Sequence, residues 1–403
     1  MENKKNFLKG AALGAFVMLI ICVGGIGIFN LIASNGGRNV YDGKLDDDSI
    51  LTEDTLEKLE KIQKYIDREY LYSDKFDSQA MQDALIKGYV DGLNEPYSVY
   101  YDKTETKELY EMTSGTFGGI GVAIQQDRTS GLVTFTHVYK DNPGDRAGFL
   151  QGDIVYKVNG EDVTGQDLDT IVSKIRGEIG TEVEITVIRD GEEFTGKATR
   201  ALIENDTVHY EMKADQMGYI QVTAFEEVTY KQFANALMDL NQQGMKGLVI
   251  DLRNNGGGNL ITVCQMLDLI LPEGNVVSIK DKNGKGESYP SDANTILNVP
   301  LVVLTNGYSA SASEIFAGAV QDYKIGTLVG TTTYGKGVVQ NVYDLGDGTS
   351  LKITTAEYFT ANGRNIHGIG IEPDVEVEYV YDAENPDADN QLEKALEILR
   401  KGM

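Results

Sequence analysis

The stretch NGYSASASEIF (306–316) sets serines and alanines between an apolar strand and the start of a helix, where a serine hydroxyl can do chemistry. The first N–H groups of a helix have no partner within it. Together with the helix dipole they stabilise the negative charge that develops on an attacked carbonyl oxygen. Ser309, Ser311 or Ser313 could equally cap the helix end, the ordinary use of serine at such a place. A serine hydroxyl is a weak nucleophile until a base takes its proton. The three histidines, His137, His209 and His367, lie far apart; only His367, in NIHGIGIEPD, is arguable, and a turn or packing role suits it better. Lysine can serve as the base where burial disfavours its charged form. Lys336 stands between Gly335 and Gly337 in TTTYGKGVVQ, among small and apolar residues at the entry to a strand-like run, and read alone it is also an ordinary hairpin lysine. A third stretch, DLRNNGGGN (251–259), leaves the strand GLVIDL with three consecutive glycines. Glycine permits close backbone approach and positive φ, but this loop lacks both the Lys-Ser/Thr of a P-loop and the spacing of GxGxxG.

These stretches sit in a repeating scaffold. From about 216 the pattern reads GYIQVT, a helix near 229–243, GLVIDL, a helix from near Asn259, PLVVLT (300–305) and a helix through SASEIFAGAVQDY. Such alternation predicts an α/β core with largely parallel strands. Between 113 and 202 the pattern is short strands with glycine turns, interrupted by one helix, DLDTIVSKIRG (167–177). Val183, Ile185 and Val187 alternate with polar residues and end in Asp190–Gly191, a hairpin signal. Leu59, Ile62 and Ile66 follow a helical period, Met81, Ala84, Leu85 and Gly88 mark a second helix, and QLEKALEILRK closes the chain as an amphipathic helix.

Composition narrows the function. The 403 residues carry 36 basic and 62 acidic side chains, a net charge of −26, which argues against nucleic-acid binding. Cys22 and Cys264 are the only cysteines and make no disulfide framework. The histidines are never at metal-ligand spacing, so neither a metal nor a cofactor is expected. Residues 10–37 carry no charge and are long enough to span a bilayer as a helix. Lys4, Lys5 and Lys9 precede this stretch and place its near end in the cytoplasm. No A-x-A cleavage site follows, so a retained anchor is expected rather than a signal peptide. The expected organisation is a cytoplasmic stub and anchor (1–37), a linker and helical region (38–112), a β-rich domain (113–202), an α/β core (203–380) and a helical tail (381–403).

FGGIGVAI (117–124), KGLVIDLRNNGGG, SASASEIFAGAVQDY, GTTTYGKGVVQ and HGIGIEPDVEV follow one another in an order and spacing that resembles the carboxyl-terminal processing peptidases, or tail-specific proteases, over about 55–400. The resemblance implies a crotonase-like ββα-spiral core with a PDZ domain inserted ahead of it. It implies Ser311 as nucleophile, Lys336 as base, Gln340 as support for that lysine, and backbone N–H groups of Ala312 and of Gly257 or Gly258 as oxyanion donors. Asp322 also matches the pattern, with a structural role left open. NPGDRAGFLQGDIVYKVNGEDV (142–163) is the most PDZ-like run. The loop Gly119, Ile120, Gly121 and Val122 would bind a chain terminus, whose strand adds to the module. Arg176, at the end of the module's helix, is a candidate relay to the core. The expected protein is a single-pass, extracytoplasmic serine endopeptidase of a bacterial envelope, acting on protein or peptide substrates with free C-termini. Homodimer formation through the helical region and tail is an option. The competing expectations are a catalytically inactive PDZ scaffold and a carrier of small ligands, and the joint presence of Ser311, Lys336 and Gln340 argues against both.

Overall fold

The computed structural model describes residues 50–402. The expected stub and anchor, 1–37, lie outside these residues, and among the described residues no helix is long and apolar enough to cross a membrane. The described residues divide into two compact units, one ending at Ser78 and the other starting at Gln79. In the first, helix α1 (Glu53–Glu69) starts at Thr52, whose hydroxyl accepts the Thr55 N–H at 3.2 Å, and none of its residues is buried.

The second unit takes in all but the first residue of α2 (Ser78–Asp91). A strap, 94–101, follows and ends in strand β1 (Val99–Tyr101). Helix α3 (Lys103–Ser114) opens on a capping box made by Asp102 and Glu105.

A β-rich module comes next. Its strands are β2 (Thr116–Gly119), β3 (Val122–Gln126), β4 (Val133–Val138), β5 (Ile154–Val158), β6 (Glu161–Asp162), β7 (Glu182–Arg189), β8 (Glu192–Thr199) and β9 (Ala201–Glu204), with α4 (Leu168–Ile175) ahead of β7. Val133, Phe135, Phe149, Val183, Ile185 and Val187 fill its own core, so the alternation read from the sequence points inward as expected. The sheet runs β3-β4-β5-β7-β8, which leaves β3 at an edge. Asp190 and Gly191 turn the β7–β8 hairpin with φ of 51° and 84°, the positive pair that a two-residue hairpin turn needs. Arg200 donates to the carbonyls of Ile175 and Lys174 at 2.8 and 3.0 Å, and so satisfies the open end of α4.

The α/β core contains β10 (Val208–Lys213), β11 (Met217–Val222), α5 (Thr229–Gln242), β12 (Gly247–Asp251), α6 (Leu260–Asp268), β13 (Gly274–Asp281) and β14 (Gly286–Ser291). It continues with β15 (Leu301–Thr305), α7 (Ala312–Tyr323), β16 (Gly326–Gly330), β17 (Val338–Asp344), β18 (Ser350–Thr360), β19 (Val375–Glu376) and α8 (Asn390–Gly402). One sheet runs β10-β11-β12-β15-β16-β19, and every pairing after the first is parallel. Strands β12 and β15 are buried along their whole length because both faces are covered. Leu248, Ile250 and Val303 pack with residues of α5, α6 and α7, while Val249, Val302 and Leu304 pack with Ala395 and Leu399 of α8. A second sheet runs β1-β18-β13-β14, with β17 also paired to β18, and its Val276, Val277 and Tyr358 join the same core as α6 and α7. That sheet lays the strap beside β18, with Val99 opposite Lys352.

Candidate active site

The loop from β15 to α7 uses its serines differently. Ser309 Oγ donates to the Leu252 carbonyl at 2.7 Å and Ser313 Oγ to the Asn255 carbonyl at 2.8 Å; both serines are buried. They fasten the loop to the exit of β12. Ser311 stays half-buried at the helix N-terminus, with φ 56° and ψ −113°. A residue with a Cβ held in such a sparsely populated region costs about 1–3 kcal/mol and needs its surroundings to hold it there. Tyr358 O–H to the Ser311 carbonyl, 3.3 Å, is one restraint.

Glu314 is the other. Its side chain is fully buried and acts only as an acceptor. One oxygen takes the Thr333 hydroxyl at 2.6 Å and the Gly335 N–H at 2.7 Å; the second takes the N–H groups of Ser311 and Lys336, each at 2.8 Å. One carboxylate thus joins the serine loop to the glycine-lysine loop. The sequence reading missed Glu314. Its signal was the Ser-x-x-Glu spacing of a capping box, which says nothing about the second loop.

The three-glycine loop packs directly on Ser311. A Cβ on Gly257 would lie 2.8 Å from Ser311 Cβ and 2.9 Å from Ala312 N, and Gly257 has φ 103°. At Gly258, φ 144°, a Cβ would meet the Phe225 carbonyl oxygen at 2.3 Å. Only glycine fits either place. The buried Asn255 sets the loop: its Oδ1 accepts the Gly257 N–H at 2.8 Å and its Nδ2 donates to the Val222 carbonyl at 2.8 Å. The Gly257 N–H is therefore engaged. Among the described residues the N–H groups of Gly258 and Ala312 make no backbone hydrogen bond, so these two of the three expected donors stand open beside Ser311.

Lys336 is half-buried, and its ammonium lies 4.4 Å from the centre of the Tyr97 ring. Burial holds its pKa below the ordinary lysine value, and the charge of Lys352 adds to this, while Glu95 and Glu314 pull the other way. Gln340 lies on β17 and donates to Thr354 Oγ1 at 3.1 Å. Among the described residues no hydrogen bond joins Lys336 Nζ to Ser311 or to Gln340. The fold brings the backbones of the expected nucleophile and base together and leaves their side chains unjoined.

The remaining candidates lie elsewhere in the fold. Asp322 pairs with Arg364 at 2.5 Å and accepts the Asn362 N–H at 2.8 Å, which is a structural use. His367 Nδ1 accepts the Gly337 N–H at 3.3 Å, in the packing role expected of it. Cys264 is buried in α6, and burial pushes its thiol up to about 12, far from a reactive thiolate. In the β-rich module, Gly119, Ile120, Gly121 and Val122 carry the chain from β2 into the edge strand β3. Arg176 stacks 3.8 Å above the Phe117 ring, within the module, and lines a groove shared with Glu111 and Met112 of α3 and Glu226 of the core.

Comparison with known proteins places the chain. The profile of peptidase family S41 matches residues 216–377, that of the PDZ domain residues 134–189, and that of the N-terminal domain of the activating protease CtpB residues 21–106. The carboxy-terminal processing protease CtpA of Bacillus subtilis (strain 168) is 35% identical over 324 residues, 80% of this chain and 69% of that one. A probable CtpA-like serine protease of Staphylococcus aureus (strain COL) is 36% identical over 327 residues, 80% of this chain and 65% of its own length. The chain thus spans just under two thirds of that relative. Among solved structures, the photosystem II D1 C-terminal processing protease aligns with a TM-score of 0.47 and 30% identity, over 81% of this chain and 89% of that chain. With the S41 profile on the α/β core, the PDZ profile on the β-rich module and the Bacillus relative across most of both chains, the chain belongs to peptidase family S41, among the carboxy-terminal processing proteases.

Proposed function

We propose that the chain is a serine endopeptidase in which Ser311 attacks the substrate and Lys336 is its base. The observation that carries the reading is the Glu314 carboxylate, which holds the N–H groups of Ser311 and Lys336 on one oxygen. Neutral Lys336 takes the Ser311 proton as Oγ bonds to the scissile carbonyl carbon, and the N–H groups of Ala312 and Gly258 meet the charge on the carbonyl oxygen. The ammonium then protonates the leaving amine as the C–N bond breaks. Water hydrolyses the ester by the same proton path in reverse. Gln340, whose amide Nε2 donates to Thr354, supports Lys336 through its Oε1, which can accept from the ammonium. Ser311→Ala and Lys336→Ala should each abolish cleavage of unfolded casein by the full chain, with the double variant little worse than either. Near-normal turnover by Lys336→Ala would show that another base exists.

The finer features belong to the same proposal. The core, 203–380, reads as a crotonase-like ββα spiral and 113–202 as the PDZ module. Residues 10–37 read as a membrane anchor that leaves the catalytic part extracytoplasmic. Substrates are polypeptides with free C-termini, in keeping with the name of the Bacillus relative. Leu85, Ile86 and Tyr89 are exposed on α2 and support pairing with a second copy, which light scattering would test. The PDZ module also gates the site. Asn205, just past β9, donates to Glu226 at 3.0 Å, and the neighbouring Phe225 accepts the Asn259 N–H and donates to the Gly257 carbonyl. A tail bound at Gly119–Val122 can bias the glycine loop through this chain only if it prefers one arrangement of it. A short tail peptide should then accelerate cleavage of an untailed reporter. Confirmed binding without acceleration at any dose leaves tethering alone.

A further inference from the structure

The strap 94–101 is sewn to the active site and has no part in the reaction as described. Glu95 accepts the Tyr97 N–H at 3.1 Å and the Ser98 hydroxyl at 2.7 Å, and Ser98 Oγ accepts the Thr354 N–H at 3.1 Å. Thr354 Oγ1 donates back to Glu95 at 3.1 Å and receives the Gln340 amide at 3.1 Å. With β1 paired to β18, these bonds hold the half-buried Tyr97 with its ring against the Lys336 ammonium, 4.4 Å from the ring centre. Burial, with the neighbouring Tyr334 adding to it, pushes the Tyr97 phenol up to about 12, so the ring stays neutral through the working range of a protease.

We propose that Tyr97 is a positioning residue for the base: its ring face holds Lys336 as the resting ammonium, away from Ser311, and so sets the pH at which the base is released. This rests on Lys336 being the base. The face of an aromatic ring attracts a cation through its quadrupole and has no comparable attraction for a neutral amine. Losing the proton therefore frees Nζ from the ring. The other groups that face Lys336 are Lys352 on β18, Glu95 on the strap and Glu314 on α7, with Tyr334 two residues away in its own loop. Lys352 opposes the ammonium; Glu95 and Glu314 favour it. The ring favours it as well, without adding a charge. The same strap keeps the Gln340 amide on Thr354, so the base and its companion glutamine are restrained from one element.

The test is the acid limb of kcat/KM for a tailed fluorogenic peptide, measured on the full chain as wild type, Lys336→Ala, Tyr97→Phe and Tyr97→Leu. Tyr97→Phe keeps the ring and should keep the limb in place. Tyr97→Leu removes the ring, and the limb should move down by about half to one pH unit, the size of a partly buried cation–π contact. One unit below the wild-type apparent pKa, that is an increase in activity of roughly three- to five-fold. If Tyr97→Leu does not fold, fluorinated phenylalanines at position 97 weaken the ring face at constant shape, and the limb should move down in step with fluorine count. A limb that stays put in Tyr97→Leu and across the fluorinated series, or that moves up, overturns the proposal. An inactive Lys336→Ala beside unmoved Tyr97 limbs overturns the role of Tyr97 alone. An active Lys336→Ala overturns the base itself.

Discussion

In the variant Glu314→Gln the buried acceptor keeps its size and loses one of its two acceptor oxygens. Four donors converge on the native carboxylate, from Ser311, Thr333, Gly335 and Lys336, at 2.6 to 2.8 Å. An amide oxygen can serve two of them, so whichever way the amide sits, two donors face an NH₂ group instead of an acceptor. A buried donor left unpaired costs about 1–3 kcal/mol. The variant should lose roughly 2–6 kcal/mol of stability, a large part of the 5–15 kcal/mol or so that a folded domain has. The less costly orientation keeps the oxygen on Ser311 and Lys336 and sacrifices Thr333, whose hydroxyl can rotate, together with Gly335. Some turnover should therefore survive in Glu314→Gln, while Glu314→Ala, with all four donors orphaned, should not fold. Losing the Glu314 charge also removes one of the groups that hold the proton on Lys336, so the acid limb of the surviving activity should lie at lower pH. The chain has no tryptophan and 22 tyrosines, so urea unfolding is followed by far-UV circular dichroism and tyrosine emission, with kcat/KM measured on a tailed peptide. A Glu314→Gln protein with unchanged urea midpoint and unchanged kcat/KM would refute the clamp.

Lys336→Met should abolish turnover and raise the urea midpoint at neutral pH. The lowered pKa of Lys336 means that the fold disfavours its ammonium, a cost fully present below the folded pKa and lost as pH approaches the unfolded value of about 10.4; a stability gain that does not shrink with rising pH would contradict this. Gly258→Ala puts a Cβ 2.3 Å from the Phe225 carbonyl oxygen in a backbone at φ 144°. It should cost at least about 1–3 kcal/mol from backbone strain and remove cleavage; wild-type kinetics would show that the glycine loop is not needed as it stands. Arg253 bridges the buried Asp251 at 2.6 Å and Asp389 at 2.7 Å, ahead of α8. Arg253→Met should cost about 3–5 kcal/mol and speed amide exchange across 390–402, and unchanged exchange there would show that α8 is held by its apolar face alone.

Much of the fold is legible in the chain because its signals are local. The buried strands GLVIDL and PLVVLT, the Asp-Gly hairpin and the helix after Asn259 all lie where the apolar period and the turn residues place them. The order of elements is legible for the same reason, while it is the resemblance to the processing peptidases that picks out Ser311 and Lys336 as candidates. What a linear reading cannot supply is the partner of each group when that partner is distant in sequence. Ser309 and Ser313 look like Ser311 in a list of residues; only the fold brings Leu252 and Asn255 to their hydroxyls and leaves Ser311 at the mouth of the helix. Glu314 reads as a capping residue until β16 returns the chain and sets Thr333, Gly335 and Lys336 around its carboxylate. The engagement of the Gly257 N–H by Asn255, the Gln340–Thr354 bond and the seat of Tyr97 on Lys336 are likewise tertiary facts. Hydrogen-bond pairing and desolvation depend on distance in space, and β18, which pairs with β1, β13 and β17 at once, sets those distances around Lys336.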